Sequence, residues 1–362
     1  MTTASRNSVS VWPGITAQRP YRIKAIGLVL FILFSSCACS VNEGGSKSYR
    51  PAISSVCFID RGNIWLVSYK GELIHLENGR VAEPKFTNEG AAVDFINKDV
   101  GWMLLQTGSL LQTLNGGLDW KEIGRLPSIS AGGKPFRTYP LDLRFVDDRV
   151  GWITASTNIL RSEDGGRTWS VWDFHDANVV SGMMIVDQRE IWAVTKTAKV
   201  FHTVDGGQNW EVKQLPSIRV GDESYPRSIA IDRTGRIWVG NLRSRSTVAV
   251  SSDGGQTWSE REMPVMSDIL RLTAIQFAPD GTGRAAFALI SKGDAPTQLS
   301  LLISENNGDT WEVSHDVKLP FRPVEINFVS DTEGYLISAS DIAVTKDAGA
   351  TWQILFSLES GN

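Results

Sequence analysis

The chain has 362 residues, of which 42% are hydrophobic and 21% charged, and its formal net charge is −4. This length and apolar content allow a sizeable core, and the acidic balance argues against nucleic acid, whose phosphates need a basic protein face. The four His residues lie far apart, and no nucleophile elbow or glycine-rich loop before a helix occurs, so we expect no metal and no cofactor.

The first 39 residues have the pattern of an export signal. Residues 1–24 contain four basic and no acidic residues, and the apolar run at 25–34 is too short to span a bilayer. Small residues then lead into Cys37 and Cys39, as in the lipobox of bacterial lipoproteins, where the Cys is lipidated; an ordinary cleavable signal peptide is the alternative. Removal of residues 1–38 deletes those four basic residues and changes the formal charge from −4 to about −8.

We therefore expect a signal peptide at 1–39, a short polar tether at 40–51 and one folded domain at 52–362. The protein is expected on the periplasmic or lumenal side, anchored to a membrane through Cys37 or Cys39. With one of these Cys lipidated, we expect no disulfide at Cys57.

Six copies of one eight-residue pattern, starting at residues 113, 162, 203, 251, 304 and 345, follow in the folded domain. Each copy begins with Ser or Thr, has Asp or Asn at its third position and Gly at its fifth, and ends in Trp. The third positions are Asn115, Asp164, Asp205, Asp253, Asn306 and Asp347. Such a side chain can accept hydrogen bonds from backbone N–H groups further along, and Gly allows a positive φ. The pattern is identified as the Asp-box, or BNR, repeat, and we assign these residues a structural rather than a catalytic role.

A second repeat gives the number of units. A short turn leads into an aromatic residue seven times, at Trp65, Trp102, Trp152, Trp192, Trp238, Phe287 and Tyr335. An apolar residue precedes each turn, at Phe58, Phe95, Phe145, Ile185, Ile231, Phe277 and Phe328. Each unit reads as four short alternating strands. Only the first unit lacks an Asp box.

The sequence thus predicts an all-β fold, a seven-bladed β-propeller of four-stranded antiparallel blades with Asp-box hairpins. Residues 52–362 divided among seven blades give about 44 residues per blade. We expect the first and last blades to close the ring by abutment rather than by a swapped strand, and the protein to be a monomer. A linear array of separate domains is the alternative architecture.

Sialidases share the Asp box, which raises the possibility of an enzyme. Their first substrate-binding Arg belongs to a Phe/Tyr-Arg-Ile-Pro motif, and the nearest match here, at residues 21–24, lies within the predicted signal peptide. Arg residues do recur at or just before the first strand of a blade, at Arg137, Arg144, Arg227, Arg271 and Arg322. A glycan-binding or glycan-hydrolysing site would need charged residues that meet at the channel mouth, with Asp142, Arg144, Arg227, Arg271 and Glu325 as candidates. The alternative, which we favour for these Arg residues, is that they are solvated loop charges.

Residues 100–120 and 150–169 resemble the repeated "GW…LL.T.DGG.TW" pattern of the photosystem II stability/assembly factor family. This resemblance covers about residues 52–362 and implies a non-catalytic scaffold that binds a membrane or envelope protein through an Arg-rich face. Here the partner-binding candidates are Arg137, Arg144, Arg227, Arg271 and Arg322, and the insertion Leu126–Tyr139 is the first choice of contact surface. A glycan-binding or glycan-cleaving propeller is the alternative function.

Overall fold

The computed structural model describes residues 52–358, except 61, 88–89, 128–129, 132–133, 136–141, 156, 175–178, 217–225, 227, 241–246, 265–269, 278–281, 290–296, 322 and 324. The predicted signal peptide and tether lie outside these residues. Every regular element in the described part is a β-strand. No helix among these residues is long and apolar enough to cross a membrane.

The strands form seven four-stranded sheets, each built from consecutive strands. Blade 1 comprises β1 (Ile53–Asp60), β2 (Asn63–Ser68), β3 (Glu72–Glu77) and β4 (Arg80–Thr87). Blade 2 comprises β5 (Gly90–Phe95), β6 (Gly101–Leu105), β7 (Ser109–Thr113) and β8 (Lys121–Arg125). A small hairpin of β9 (Ser130–Ala131) and β10 (Lys134–Pro135) precedes blade 3, which comprises β11 (Asp142–Phe145), β12 (Gly151–Ala155), β13 (Asn158–Ser162) and β14 (Ser170–Asp173).

The other four blades repeat this arrangement. Blade 4 comprises β15 (Val180–Ile185), β16 (Ile191–Thr195), β17 (Lys199–Thr203) and β18 (Glu211–Gln214). Blade 5 comprises β19 (Ser228–Ile231), β20 (Ile237–Gly240), β21 (Thr247–Ser251) and β22 (Ser259–Glu262). Blade 6 comprises β23 (Leu270–Phe277), β24 (Gly283–Leu289), β25 (Thr297–Ser304) and β26 (Glu312–Leu319), and blade 7 comprises β27 (Glu325–Phe328), β28 (Gly334–Ile337), β29 (Asp341–Thr345) and β30 (Gln353–Ser357).

The blades surround a common centre, toward which the first strand of each blade lies. First strands of neighbouring blades contact each other, as in the pairs β1 with β5, β5 with β11, and β19 with β23. All neighbouring strands within a blade are antiparallel. The fold is therefore the predicted seven-bladed β-propeller.

Antiparallel order gives the ring two distinct faces. One face carries the turns that join the first strand to the second and the Asp boxes that join the third strand to the fourth. We call it the Asp-box face. The first strands begin at the opposite face, which we call the connector face because each fourth strand leads from it to the next blade. Backbone hydrogen bonds join the two kinds of turn at the Asp-box face, for example from Gly165 N to Arg149 O at 2.8 Å.

The recurring second-strand aromatic residue of one blade contacts the recurring first-strand apolar residue of the next blade. The second-strand Trp102 of blade 2 stacks on the first-strand Phe145 of blade 3, with ring centroids 3.7 Å apart. Trp65 stacks in the same way on Phe95 at 4.7 Å. The pairing continues through the closure of the ring, where Tyr335 of blade 7 lies 4.8 Å from Phe58 of blade 1. Apolar side chains of blades 1 and 7 share one core cluster. The ring thus closes by abutment of two complete blades.

Each Asp box is a closed hydrogen-bonded turn. In blade 5 the Asp253 carboxylate accepts bonds from Thr257 N at 2.9 Å, Thr257 Oγ1 at 2.5 Å and Ser251 Oγ at 2.8 Å. Gly255 has a φ of 84°, and a Cβ there would lie 2.8 Å from the Trp192 ring of the preceding blade. This Asp box therefore packs against the second-strand Trp192 of the preceding blade. Position 255 requires Gly because of its positive φ and because a Cβ would clash with the Trp192 ring.

The hydrogen bonds to the Asp-box carboxylates predict that the protein loses stability in acid. Hydrogen bonds from their own turns lower the pKa of Asp205, Asp253 and Asp347 to about 2. Because the folded pKa lies below the unfolded value, this stabilisation is present above about pH 4 and is lost as the pH falls toward 2. A variant with all three changed to Asn, as the chain itself has at Asn115 and Asn306, should lose less stability than wild type between pH 4 and pH 2. Urea denaturation midpoints would measure this, and equal losses would contradict it.

Candidate functional site

Polar side chains on the first strands join each blade to the next at the centre of the ring. In blades 1, 2 and 6, the residue directly before the recurring first-strand Phe accepts a hydrogen bond from a backbone N–H of the following blade. Cys57 Sγ accepts from Phe95 N at 3.3 Å, and Asp94 Oδ2 accepts from Phe145 N at 2.6 Å. Gln276 repeats this contact between blades 6 and 7, accepting from Phe328 N at 3.0 Å. These bonds satisfy N–H groups on strand edges that would otherwise be left open.

Blades 2 and 3 are also joined by a buried ion pair. Arg144 Nη1 donates to Asp94 Oδ1 at 3.0 Å, and the two side chains are only 10% and 7% exposed. The Cys57 thiol of blade 1 donates to the same Asp94 oxygen at 3.5 Å. Both oxygens of Asp94 are therefore used between blades.

Two further carboxyls lie near this pair, at the connector face. Asp142, the first residue of β11, has its Oδ1 3.4 Å from Arg144 Nε. Glu325 is the first residue of β27 and is 8% exposed. The Arg144 and Asp142 charges both act on Glu325. Because blades 3 and 7 are not neighbours, this interaction crosses the centre of the ring.

Burial controls the ionisation of this cluster. It raises the pKa of Asp142 to about 7, against the opposing effect of Arg144 and with a further increase from Asp94. Burial also raises the pKa of Glu325 well above its usual value, and Arg144 again opposes the increase. The pKa of Arg144 is raised although burial opposes its charge, because Asp142 and Asp94 favour the cation. For the Cys57 thiol, burial and then the Asp94 charge raise the pKa, so that it stays protonated and unreactive.

The structure brings together three of the residues that the sequence proposed for a glycan site, namely Asp142, Arg144 and Glu325. Of the predicted partner contacts, Arg144 is 8% exposed and ion-paired, a position that favours a role in joining blades. Arg271 lies in β23, with its side chain outside the described part. The remaining candidates, Arg137, Arg227, Arg322, Cys37 and Cys39, lie outside the described residues.

Sequence reasoning missed Cys57 and Asp94 as members of this cluster. A signal for them existed, since both residues directly precede the recurring Phe of their first strand, as Arg144 does. Aligning the first strands on that Phe would have placed the three side chains at one level of the ring.

The arrangement is suited to holding blades together and to binding protons. Its one guanidinium is engaged by Asp94 and Asp142, and the carboxyls are buried away from bulk water. Within the described ranges, no group of three or more His, Cys, Asp or Glu side chains is placed to hold a metal ion.

Comparison with known proteins identifies relatives of this chain. The family model described as "Photosynthesis system II assembly factor YCF48" matches residues 131–224 and 217–361. The "Photosystem II assembly lipoprotein Ycf48" of Synechococcus sp. (strain RCC307) is 29% identical over 154 residues, which are 42% of this chain. The "Photosystem II stability/assembly factor HCF136, chloroplastic" of Arabidopsis thaliana is 24% identical over 183 residues, 48% of this chain. In each case the chain spans 44% of the relative's length.

Solved structures share the fold at low identity. The structure described as "YCF48 bound to D1 peptide" has a TM-score of 0.60 and 19% identity, and the match covers 82% of this chain and 93% of that one. A GH74 xyloglucanase from Xanthomonas campestris has a TM-score of 0.58 at 12% identity, covering 84% of this chain and 54% of the enzyme. At these identities the likeness shows the fold alone. The family model, in contrast, matches more than half of the sequence, and the chain therefore belongs to the photosynthesis system II assembly factor YCF48 family.

Proposed function

We propose that this protein is an exported, non-catalytic assembly factor that binds a segment of a membrane-protein partner on the connector face of its propeller. The observation that carries the proposal is the family match over residues 131–361. One related propeller is described as bound to a D1 peptide, and two matched relatives are named assembly lipoproteins. A lipid anchor at Cys37 or Cys39 agrees with those names.

The connector face is the proposed docking surface because of where the Arg candidates lie in the sequence. Arg137, Arg227 and Arg322 each come within five residues of the start of a first strand, and Arg271 is the second residue of β23. First strands of a propeller begin at one face, so we expect these cations on the same side of the ring. An acidic segment of the partner is the matching ligand chemistry.

Removal of these four cations should abolish partner binding. The lipidated wild-type protein, isolated from its native envelope after mild cross-linking, should retain a stoichiometric membrane protein that mass spectrometry identifies. The amount of that protein retained should be at least tenfold lower for the Arg137→Ala, Arg227→Ala, Arg271→Ala, Arg322→Ala variant, since four charge contacts are removed.

A matched control removes four exposed cations from the Asp-box face instead, by Ala substitution of Lys98, Arg149, Arg189 and Lys346. This variant should capture the partner as wild type does. Equal loss in both variants would show only a general charge effect, which contradicts docking on the connector face. If wild type retains no partner but binds a glycan array, the glycan alternative replaces the proposal.

A further inference from the structure

Among the described side chains, the first strands bring three carboxyls and one cation together at the centre of the ring. Asp94, Asp142 and Glu325 share Arg144. The other ionisable residues of the first strands are Cys57, Asp60 and Arg271, and β15 and β19 contain none. Cys57 faces Asp94 as a neutral thiol. The side chains of Asp60 and Arg271 lie outside the described part.

Two carboxyl oxygens in this cluster have no donor. Asp142 Oδ2 and Glu325 Oε2 are buried and accept no hydrogen bond from the residues that the structure describes. Arg144 donates to neither of these two oxygens, although it contacts Asp94 Oδ1 and Asp142 Oδ1. A buried acceptor without a donor costs free energy, and a buried unpaired negative charge costs more. A proton on either carboxyl removes one buried negative charge.

We propose that Asp142 and Glu325 form a proton-binding site at the centre of the ring, which takes up protons as the pH falls from 8 to 5 and thereby tightens the first strands of blades 3 and 7. At pH 8 both groups are carboxylates that share one described guanidinium, Arg144, and their mutual repulsion loosens the starts of β11 and β27. At pH 5 the two carboxyls are neutral, which removes that repulsion.

The direction of the pH dependence follows from the ionisation of the two groups. Burial raises the pKa of Asp142 to about 7 and that of Glu325 well above its usual value. The folded chain therefore binds these protons more tightly than the unfolded chain, and stability falls as the pH rises through the folded pKa. For Asp142 alone, the unfolding equilibrium constant should rise roughly hundredfold between pH 5 and pH 8.

His75 acts in the opposite direction in this range. Burial lowers the pKa of His75, so its contribution to stability increases as the pH rises through about 6.5. His75 lies on β3, and its ring stacks on Trp65 at 4.1 Å. The effect of the proton-binding site must therefore be measured as a difference in the pH dependence of stability between wild type and a variant that leaves His75 unchanged.

The test compares wild type with an Asp142→Asn, Glu325→Gln variant. Amides have nearly the shape of the neutral acids, so the variant should fold. The unfolding equilibrium constant, from urea denaturation at pH 5, 6, 7 and 8, should rise with pH in wild type by at least thirtyfold more than in the variant. Hydrogen exchange of β11 and β27, corrected for intrinsic rates, should slow toward pH 5 only in wild type.

A control variant, Asp148→Asn with Glu260→Gln, changes two exposed carboxyls and should keep the wild-type dependence. The proposal is overturned if the double amide variant retains the wild-type pH dependence. It is also overturned if both proteins show the same exchange in β11 and β27 at every pH. Because these measurements need no partner, they are independent of the proposed assembly function.

Discussion

Replacing Arg144 with Met should lower the free energy of unfolding by about 3–5 kcal/mol at pH 8, because it leaves buried carboxylates without their cation. Arg144 is the only described cation in contact with Asp94 and Asp142, and its side chain is 10% exposed. The loss should be smaller at pH 5, where Asp142 can become neutral. Urea denaturation at the two pH values measures both effects.

A compensating change should restore most of this loss. Asn at position 94 keeps an oxygen for Phe145 N, which now donates to Asp94 at 2.6 Å, but removes the charge. The Asp94→Asn, Arg144→Met variant should therefore recover more than half of the lost free energy, since replacing both members of a buried pair is often nearly neutral. Arg125→Met, at an exposed position, serves as the control and should cost less than about 0.5 kcal/mol. A loss below about 1 kcal/mol for Arg144→Met would mean that the pair contributes no more than a surface ion pair.

Replacing Trp102 with Ala should also cost about 3–5 kcal/mol, because it opens a cavity between blades 2 and 3. Trp102 is fully buried, stacks on Phe145, and its Nε1 donates to Gly165 O in the next Asp box at 3.0 Å. The Trp102→Phe variant keeps a stacked ring and loses that bond, so it should cost only about 1–2 kcal/mol. Chemical denaturation monitored by far-UV circular dichroism would measure the series.

Trp120 of the same blade is the matched control for position 102. It ends the Asp box, is half-buried, and meets Phe95 edge-on at a centroid distance of 5.9 Å. Trp120→Ala should therefore cost clearly less than Trp102→Ala. Equal costs at the two positions would contradict the view that second-strand aromatic residues carry the contact between blades.

Sequence repetition was enough to predict the number of blades, their four strands and the mode of closure. The aromatic residue of each second strand and the apolar residue of each first strand recur at similar spacing, so both were visible without any structure. Their partnership was not visible, because Trp102 contacts Phe145 of the next blade rather than Phe95 of its own. Spacing within a repeat gives the strand order, whereas contacts between repeats depend on how the blades are rotated in the ring.

The central cluster was only partly predictable for a related reason. Asp142, Arg144 and Glu325 were recognised as charges at the starts of first strands that could meet at the channel mouth. Asp94 was not, since it lies within an otherwise apolar segment that reads as a buried strand. Burial of Arg144 depends on Asp94, which is 50 residues away, and only an alignment of the first strands across blades relates the two positions.

The closure of the ring has a consequence for how the protein is oriented at a membrane. Ile53 N donates to Ala339 O at 2.6 Å, and Leu358 N donates to Ser340 O at 2.9 Å, so both ends of the propeller lie at one turn of blade 7 on the connector face. A tether from Cys39 to residue 52 reaches at most about 45 Å. With the proposed anchor, the connector face is therefore held toward the bilayer, and a partner segment that emerges from the membrane meets that face first.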